Sequence, residues 1–105
     1  MAQFAVYLNK NLKNRTVYPL LVDVQSPLLE ELETRVVIPL AKGSGLTGFP
    51  LGFVMPPLDF EGERYVLMTP QLAGVARADL GARLGAVPAY AAAITTATDV
   101  LFRGF

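Results

Sequence analysis

The feature that most constrains the fold of this sequence is a pair of apolar, β-branched runs at residues 20–24 and 36–40. A polar interval containing Ser26, Pro27 and residues 30–34 separates the two runs. Short apolar runs on either side of such an interval are typical of two paired strands with a wide connection. The pattern therefore predicts an antiparallel strand pair at the centre of the molecule.

Asp23 is the only charged residue within the first run. A carboxylate buried without partners is unfavourable, so we expect Asp23 to face solvent or to bond the nearby Gln25 and Ser26. The chain contains no His that could pair with this carboxylate as a general base. A structural role is therefore favoured over a catalytic one.

The composition excludes several classes of function. With 105 residues, the chain predicts a single domain spanning 1–105. Nine basic and nine acidic residues give no net charge, which disfavours general affinity for nucleic acids. Cys and His are both absent, which removes the usual zinc, iron and copper ligands and any Cys-His or Ser-His pair. We therefore predict no metal, no cofactor and no catalytic residue, and no cleavage of RNA.

The distribution of apolar residues predicts where the protein is located in the cell and whether it associates with another chain. The N-terminus lacks the basic and apolar regions of a secretory signal, and the uncharged segment 43–58 is interrupted by Pro and Gly. We expect a cytoplasmic protein that does not enter a membrane. Because 52% of the residues are hydrophobic and only 17% are charged, we also expect apolar surface to be buried against a partner or a second copy, as in a homodimer.

Other segments have the patterns of strands and loops. Residues 3–8 alternate with a period of two and predict a half-buried strand. Residues 9–16 contain three Asn and three basic residues, which predicts an exposed loop before a strand over 18–24. Residues 58–68 predict a hairpin with its turn at Glu61-Gly62 and a return strand over 64–69, because Gly supplies the positive φ of tight turns.

Two segments have no single predicted regular structure. Residues 71–84 fit both the alternation of a strand and a helical face containing Leu80 and Leu84. Residues 41–57 are rich in Gly and Pro and predict a long loop. Gly43, Gly45 and Gly48 form a G-x-G-x-x-G pattern in this loop, but no helix pattern follows. Dinucleotide binding is therefore disfavoured.

The last segment predicts a terminal α-helix over residues 88–102. Pro88 suits the first turn of a helix, and residues 89–101 contain five Ala without Gly or Pro. Gly104 is placed to end the helix and to leave Phe105 as an exposed aromatic carboxyl terminus. The predicted inward stripe consists of Tyr90, Ile94, Ala97 and Leu101.

The whole chain resembles the CcdB toxins of bacterial toxin–antitoxin modules, which poison DNA gyrase. The similar blocks occur in the family's order and spacing: Gln3-Phe4 with Val6-Tyr7, residues 21–26 (Leu-Val-Asp-Val-Gln-Ser), residues 35–40 (Arg-Val-Val-Ile-Pro-Leu), Met68-Thr69 with Ala73 and Val75, and Gly104 followed by one apolar residue. The blocks at 21–26 and 35–40 together carry most of the specificity of this resemblance.

The resemblance implies a mostly β protein with a C-terminal helix. The expected fold is a small SH3-like barrel of the CcdB and MazF type, with an antiparallel main sheet, a smaller sheet and a homodimeric assembly. Residues 75–80 would then form a strand. Similar toxins perform no chemistry. They bind the A subunit of DNA gyrase through the end of the C-terminal helix, trap the gyrase–DNA cleavage complex, and are neutralised by a CcdA-like antitoxin.

Carried across by position, the resemblance implies a gyrase-binding set of Leu28, Leu29, Asp99, Phe102, Arg103, Gly104 and Phe105. The ending Arg103-Gly104-Phe105 differs from the aromatic-Gly-Ile ending of similar toxins. Two alternatives therefore stay open. One is a protein of the same fold that binds antitoxin but has lost gyrase poisoning. The other is a MazF-like endoribonuclease, which the zero net charge disfavours.

Overall fold

The computed structural model describes residues 3–43 and 54–104. These residues form mainly antiparallel β-structure followed by one C-terminal helix, which confirms the predicted fold class. In chain order the elements are β1 (Ala5–Asn9), β2 (Leu20–Asp23), β3 (Thr34–Lys42), β4 (Pro57–Phe60), β5 (Glu63–Leu67), β6 (Ala73–Ala76), β7 (Leu80–Ala86) and α1 (Ala91–Arg103).

The central pair consists of β2 and β3, as the two apolar runs predict. The strands are antiparallel, and their register places Leu20 opposite Leu40 and Asp23 opposite Val37. β3 extends beyond the predicted 36–40 at both ends. The extension has a physical reason, since one edge of β3 bonds β2 while β5 and β6 occupy the other edge in succession.

All seven strands of the described residues belong to one curled sheet with the order β4-β5-β3-β2-β1-β7, and β6 pairs separately with β3. β5 pairs with β3 at residues 40–42, and β6 pairs with it at residues 34–37. β4, β5 and β6 therefore belong to the same sheet as the other strands, and the expected smaller sheet is not separate among the described residues. The nine residues of β3 provide enough edge for both partners.

One face of the curled sheet and one stripe of α1 form the hydrophobic core. A Cβ atom at Gly85 of β7 would lie 3.2 Å from the ring of Phe60 on β4, so the two ends of the sheet approach each other as in a half-barrel. The most buried apolar residues of this core are Val6, Leu20, Val22, Ile38, Leu40, Leu58, Phe60, Tyr65, Leu67, Val87, Ile94 and Ala97.

The C-terminal helix is present, but it begins later than predicted. Pro88–Tyr90 form a separate 3₁₀ turn, and α1 begins at Ala91. Within the predicted stripe Ile94 and Ala97 are buried, while Tyr90 and Leu101 are half-buried. Gly104 adopts a left-handed conformation with φ of 82°, and its N–H donates to the carbonyl of Val100, which confirms its role at the end of the helix.

The strand boundaries differ from the predictions for local reasons. β1 begins at Ala5 because Phe4 adopts a positive φ of 64°. β2 begins at Leu20 because the N–H of Tyr18 donates to Asn14 within the preceding loop. The hairpin turn at Glu61-Gly62 is confirmed, with φ of 51° and 82°. The return strand ends at Leu67, before the 3₁₀ turn Thr69–Gln71.

The ambiguous segment 71–84 consists mainly of two strands, and the interpretation as one helical face is wrong. The expected strand over 75–80 is interrupted, because Arg77–Asp79 form a 3₁₀ turn between β6 and β7. Neighbouring strands decide this outcome, since β6 pairs with β3 and β7 pairs with β1. Gly45 and Gly48 of the loop pattern lie outside the described residues.

In the part of the chain that the structure describes, no helix is long and apolar enough to cross a membrane.

Gly81 allows β1 and β7 to approach closely. We therefore predict that an alanine substitution at Gly81 destabilises the protein more than one at Gly74. A Cβ atom at Gly81 would lie 2.6 Å from the carbonyl oxygen and 2.8 Å from the Cβ of Leu8. We expect Gly81→Ala to lower the free energy of unfolding by about 1–3 kcal/mol, because the backbone must shift. Chemical denaturation measures this change.

Gly74→Ala is the matched control, because a Cβ atom at Gly74 of β6 would meet nothing within 4 Å. The control protein should be as stable as the wild type or slightly more stable, since Ala restricts the unfolded chain more than Gly. Equal denaturation midpoints for the two variants would show that the β1–β7 approach is not tight.

Candidate functional site

The residues predicted to bind a partner lie on two separate elements. Leu28 and Leu29 belong to the 3₁₀ turn Pro27–Leu29, which follows β2. Asp99, Phe102 and Arg103 lie at the end of α1, and Gly104 follows them. Phe105 lies outside the described residues. Within the described residues the backbone of α1 comes closest to the turns at 69–71 and 88–90, and the turn that carries Leu28 and Leu29 is not among its close neighbours.

The end of α1 presents an aromatic ring and an ion pair to solvent. The side chain of Phe102 is 70% exposed. Arg103 Nη2 lies 3.7 Å from Asp99 Oδ2, one helical turn earlier, and the side chains of Arg103 and Asp99 are about two thirds and half exposed. Exposed pairs of this kind contribute less than about 1 kcal/mol to stability. The pair therefore adds little to folding, and Phe102 is the main apolar feature of this surface.

A second exposed apolar group lies on residues 26–33, which we call the leucine loop. Leu28 is 93% exposed, and Leu29 and Leu32 are about half exposed. The Ser26 hydroxyl oxygen accepts a hydrogen bond from the N–H of Leu28 (3.2 Å), and Pro27 occupies the first position of the turn. Leu32 is absent from the predicted set. The composition of the loop could have indicated it, because three of its eight residues are Leu and the others are polar or Pro.

The leucine loop is anchored by a buried ion pair between Asp23 and Arg35. Arg35 Nε donates to Asp23 Oδ2 (2.7 Å) and Nη2 donates to Oδ1 (3.1 Å), and Arg35 and Asp23 are 1% and 0% exposed. The expectation that Asp23 could face solvent is therefore wrong. Its predicted bond to Gln25 is present, since the N–H of Gln25 donates to Oδ1 (3.0 Å).

Strand register explains why Arg35 is the partner of Asp23. Asp23 pairs with Val37, and Arg35 lies two residues before Val37 on the same face of β3. Diagonal neighbours of this kind lie within reach of a long side chain. Hydrogen bonding to Asp23 raises the pKa of Arg35 above its usual value, more than burial lowers it, so the guanidinium stays charged.

The ion pair network also holds the backbone of the leucine loop. Arg35 Nη1 donates to the carbonyl of Glu30 (3.2 Å), and Gln25 Nε2 donates to the carbonyl of Leu29 (2.8 Å). The Gln25 side-chain oxygen in turn accepts from the N–H of Val36 on β3 (2.9 Å). The loop carbonyls are thus bonded to the sheet while the Leu side chains remain exposed.

A cleft of about 590 Å³ is lined by the loop before β2, by residues of β1, β2, β3 and β6, and by the turns at 69–71 and 77–79. Its apolar wall includes Leu21, Val37 and Pro39. The amides at its rim bond to their own loop: Asn9 donates to the Asn14 side chain (2.9 Å) and to the carbonyl of Tyr18 (2.8 Å). These amides stabilise the loop conformation. Among residues 3–43 and 54–104, no three His, Cys, Asp or Glu residues are grouped as metal ligands.

These observations define a small antiparallel half-barrel with a terminal helix and two exposed apolar groups, a class suited to binding another protein. A family model described as CcdB protein matches residues 3–104 of the chain. No curated protein is similar enough to the sequence to count as a match. The chain therefore belongs to the CcdB family, as its motifs predicted, and this membership supports a toxin of a toxin–antitoxin module.

The buried ion pair predicts strongly non-additive mutations. Asp23→Leu leaves Arg35 buried without its carboxylate, and we expect the free energy of unfolding to fall by about 3–5 kcal/mol. Arg35→Met should lower the free energy of unfolding by a similar amount, because it leaves the Asp23 carboxylate buried without its cation. The double variant Asp23→Leu with Arg35→Met removes both charges and should recover much of the loss.

Urea denaturation of the wild type, single variants and double variant measures the coupling between the two positions. Lys42→Met supplies a control, because Lys42 is exposed and its ion pair with Glu63 is 4.0 Å long. A loss below about 1 kcal/mol for either single variant at Asp23 or Arg35, close to that of a surface change, would contradict this role.

Proposed function

We propose that this protein binds the A subunit of DNA gyrase through the end of α1 and traps the gyrase–DNA cleavage complex. The observation that carries the proposal is the exposed ring of Phe102 on the last turn of α1, in a chain whose family match spans residues 3–104. Interface energy is concentrated in a few aromatic and Arg anchors. Phe102 and Arg103 supply both kinds of side chain at adjacent positions.

The geometry of the helix end supports this binding mode. Gly104 has a left-handed conformation that turns the chain away from the helix axis, and nothing lies within 4 Å of the position that its Cβ would occupy. Asp99 forms an ion pair with Arg103, so the guanidinium already has a carboxylate beside it before any partner binds. A partner can therefore cover Phe102 without burying an unpaired guanidinium, which would be costly.

Leu28 and Leu29 form the second part of the proposed gyrase-binding set, and Phe105 its last member. The two Leu side chains are exposed, and they make no contribution to the core cluster. We place the protein in the bacterial cytoplasm, where gyrase acts, and assign its neutralisation to a CcdA-like antitoxin. The toxin contributes binding and no chemistry, and it makes no sequence-specific contact with nucleic acid.

The proposal includes a homodimer. Eight large apolar side chains of the described residues are exposed, and a second copy would cover part of this surface: Leu8, Leu12, Val17, Leu28, Leu29, Leu32, Leu84 and Phe102.

We expect static light scattering at micromolar concentration to give twice the 11.3 kDa mass of one chain. The physical reason is that association removes exposed apolar surface from water, which is favourable. Dilution into the nanomolar range should then reveal dissociation. A species of 11.3 kDa alone at micromolar concentration would contradict the dimer.

Deletion of residues 102–105 should abolish gyrase inhibition while leaving the fold intact. Phe102, Arg103 and Gly104 are exposed, so their removal uncovers little core. Loss of one aromatic anchor costs about 2 kcal/mol, which is about 30-fold in affinity. Supercoiling assays and trapped cleavage complexes with purified gyrase measure the effect, and survival after induction in bacteria measures toxicity.

Thr96→Ala is the matched control, since Thr96 is exposed on the same helix, nearly two turns before the tail. The control should inhibit gyrase as the wild type does, and both proteins should unfold cooperatively. A tail deletion that still traps cleavage complexes would remove the basis for this site. Cleavage of RNA by the wild type that disappears with one point mutation would instead favour the endoribonuclease alternative.

A further inference from the structure

We propose that the cleft of about 590 Å³ between the loop before β2 and the turn at 77–79 binds a free α-amino acid with a large apolar side chain. Lys10 binds the carboxylate of this ligand, Asp79 binds its ammonium group, and the apolar floor of the cleft receives its side chain. None of the residues that line the cleft belongs to the proposed gyrase-binding set.

The floor of the cleft lies on the face of the sheet that is turned away from the core. Leu21 and Pro39 are opposite each other in the register of β2 with β3, and Val37 lies two residues before Pro39 on the same face. Ile38 and Leu40, which alternate with them, belong to the core cluster on the other face. The floor is therefore a second apolar surface, separate from the core.

β6 supplies the more accessible part of this apolar surface. Ala73 is opposite Val37 in the register of β3 with β6, and Val75 follows two residues later on the same face. Ala73 is exposed, Val75 is half-buried, and both line the cleft. Small-molecule sites are mostly apolar clefts of about 300–1,000 Å³ with a few polar groups, and this cleft has that size and lining.

A hydrogen bond joins the two rims of the cleft. Lys10 Nζ on the loop donates to the carbonyl of Ala78 on the turn Arg77–Asp79 (3.1 Å). Asp79 follows Ala78 directly and also lines the cleft. An ammonium group and a carboxylate therefore border the same part of the cleft.

These two charges do not neutralise each other or any other group. Four ion pairs are formed among residues 3–43 and 54–104, and neither Lys10 nor Asp79 takes part in any of them. A cation and a carboxylate that are close but unpaired are complementary to a ligand that carries both charges. An α-amino acid carries them on one carbon atom, and its side chain extends from that carbon.

Asparagine side chains hold the loop that carries Lys10. The Asn9 side-chain oxygen accepts from the N–H of Asn11 (3.0 Å), and the Asn11 side-chain oxygen accepts from the N–H of Lys13 (2.9 Å). Lys10 lies between Asn9 and Asn11, so its backbone is held on both sides. A site that is ordered before binding loses less conformational entropy when the ligand enters.

Heteronuclear NMR of the full-length protein with L-leucine and L-phenylalanine tests the site. We expect saturable shifts of the backbone amides at 9–18 and 73–79, and no shift at the end of α1. 4-Methylpentanoate and isoamylamine are leucine without its amino group and without its carboxyl group. Each should bind at least about tenfold more weakly than L-leucine, because each loses one charged hydrogen-bonding group.

Substitutions at the two charges provide the second measurement. Lys10→Gln and Asp79→Asn should each weaken L-leucine binding about tenfold or more. Lys13→Gln and Glu61→Gln are the matched controls, because they remove the same charges from exposed positions outside the cleft, and they should bind as the wild type does. Lys10→Arg retains the cation and should retain binding, which separates the loss of charge from a change in the loop.

Shifts that saturate in the wild type and are lost in both charge variants would support the site. If neither amino acid produces saturable shifts at 9–18 and 73–79, the cleft is not an amino-acid site. If 4-methylpentanoate binds as tightly as L-leucine, or if the Lys13 and Glu61 controls lose as much affinity as the cleft variants, the roles of Lys10 and Asp79 are wrong. Each of these results leaves the gyrase proposal intact, because the tail deletion tests that proposal separately.

Discussion

The buried ion pair between Asp23 and Arg35 connects the central strands to the surface that we propose for binding. A charged pair with almost no exposure is favourable only when its hydrogen bonds are complete. Here Asp23 accepts from Arg35 and from the N–H of Gln25, and the remaining donors of Arg35 and Gln25 bond the carbonyls of the leucine loop. The stability of the β2–β3 pair and the shape of the loop therefore depend on the same atoms.

The molecule combines a tightly bonded sheet with exposed apolar side chains on the leucine loop and at the end of α1, and these side chains contribute nothing to the core cluster. β3 is hydrogen-bonded to three other strands. Leu28 is exposed on the 3₁₀ turn that follows β2, and Phe102 is exposed on the last turn of α1. Exposed apolar side chains are unfavourable in water and gain free energy when a partner covers them. A protein that binds a partner through such side chains needs them in a defined arrangement, and the loop bonds and the capped helix supply one.

Much of the fold was predictable because its determinants are local. Alternation over 3–8, the apolar runs at 20–24 and 36–40, the Glu61-Gly62 turn and the Ala-rich helix ended by Gly104 all have the expected conformation over most of their length. The errors occur where a neighbouring segment decides the outcome. Arg77–Asp79 interrupt the expected strand because β6 and β7 pair with different strands, and α1 begins after a 3₁₀ turn.

The candidate site also has features that local sequence predicts and features that depend on distant segments. The motifs at fixed spacing were enough to indicate the family, and the sequence pattern placed Leu28 and Leu29 in the connection between two strands and Phe102 at a helix end, because strand breaks and helix caps act within a few residues. The burial of Asp23 could not be predicted from local sequence, because its partner lies twelve residues away and is reached through the register of β2 with β3. The exposure of Leu32 and the bonds of Arg77 to the loop carbonyls also follow from the folded chain, since those bonds cross more than forty residues.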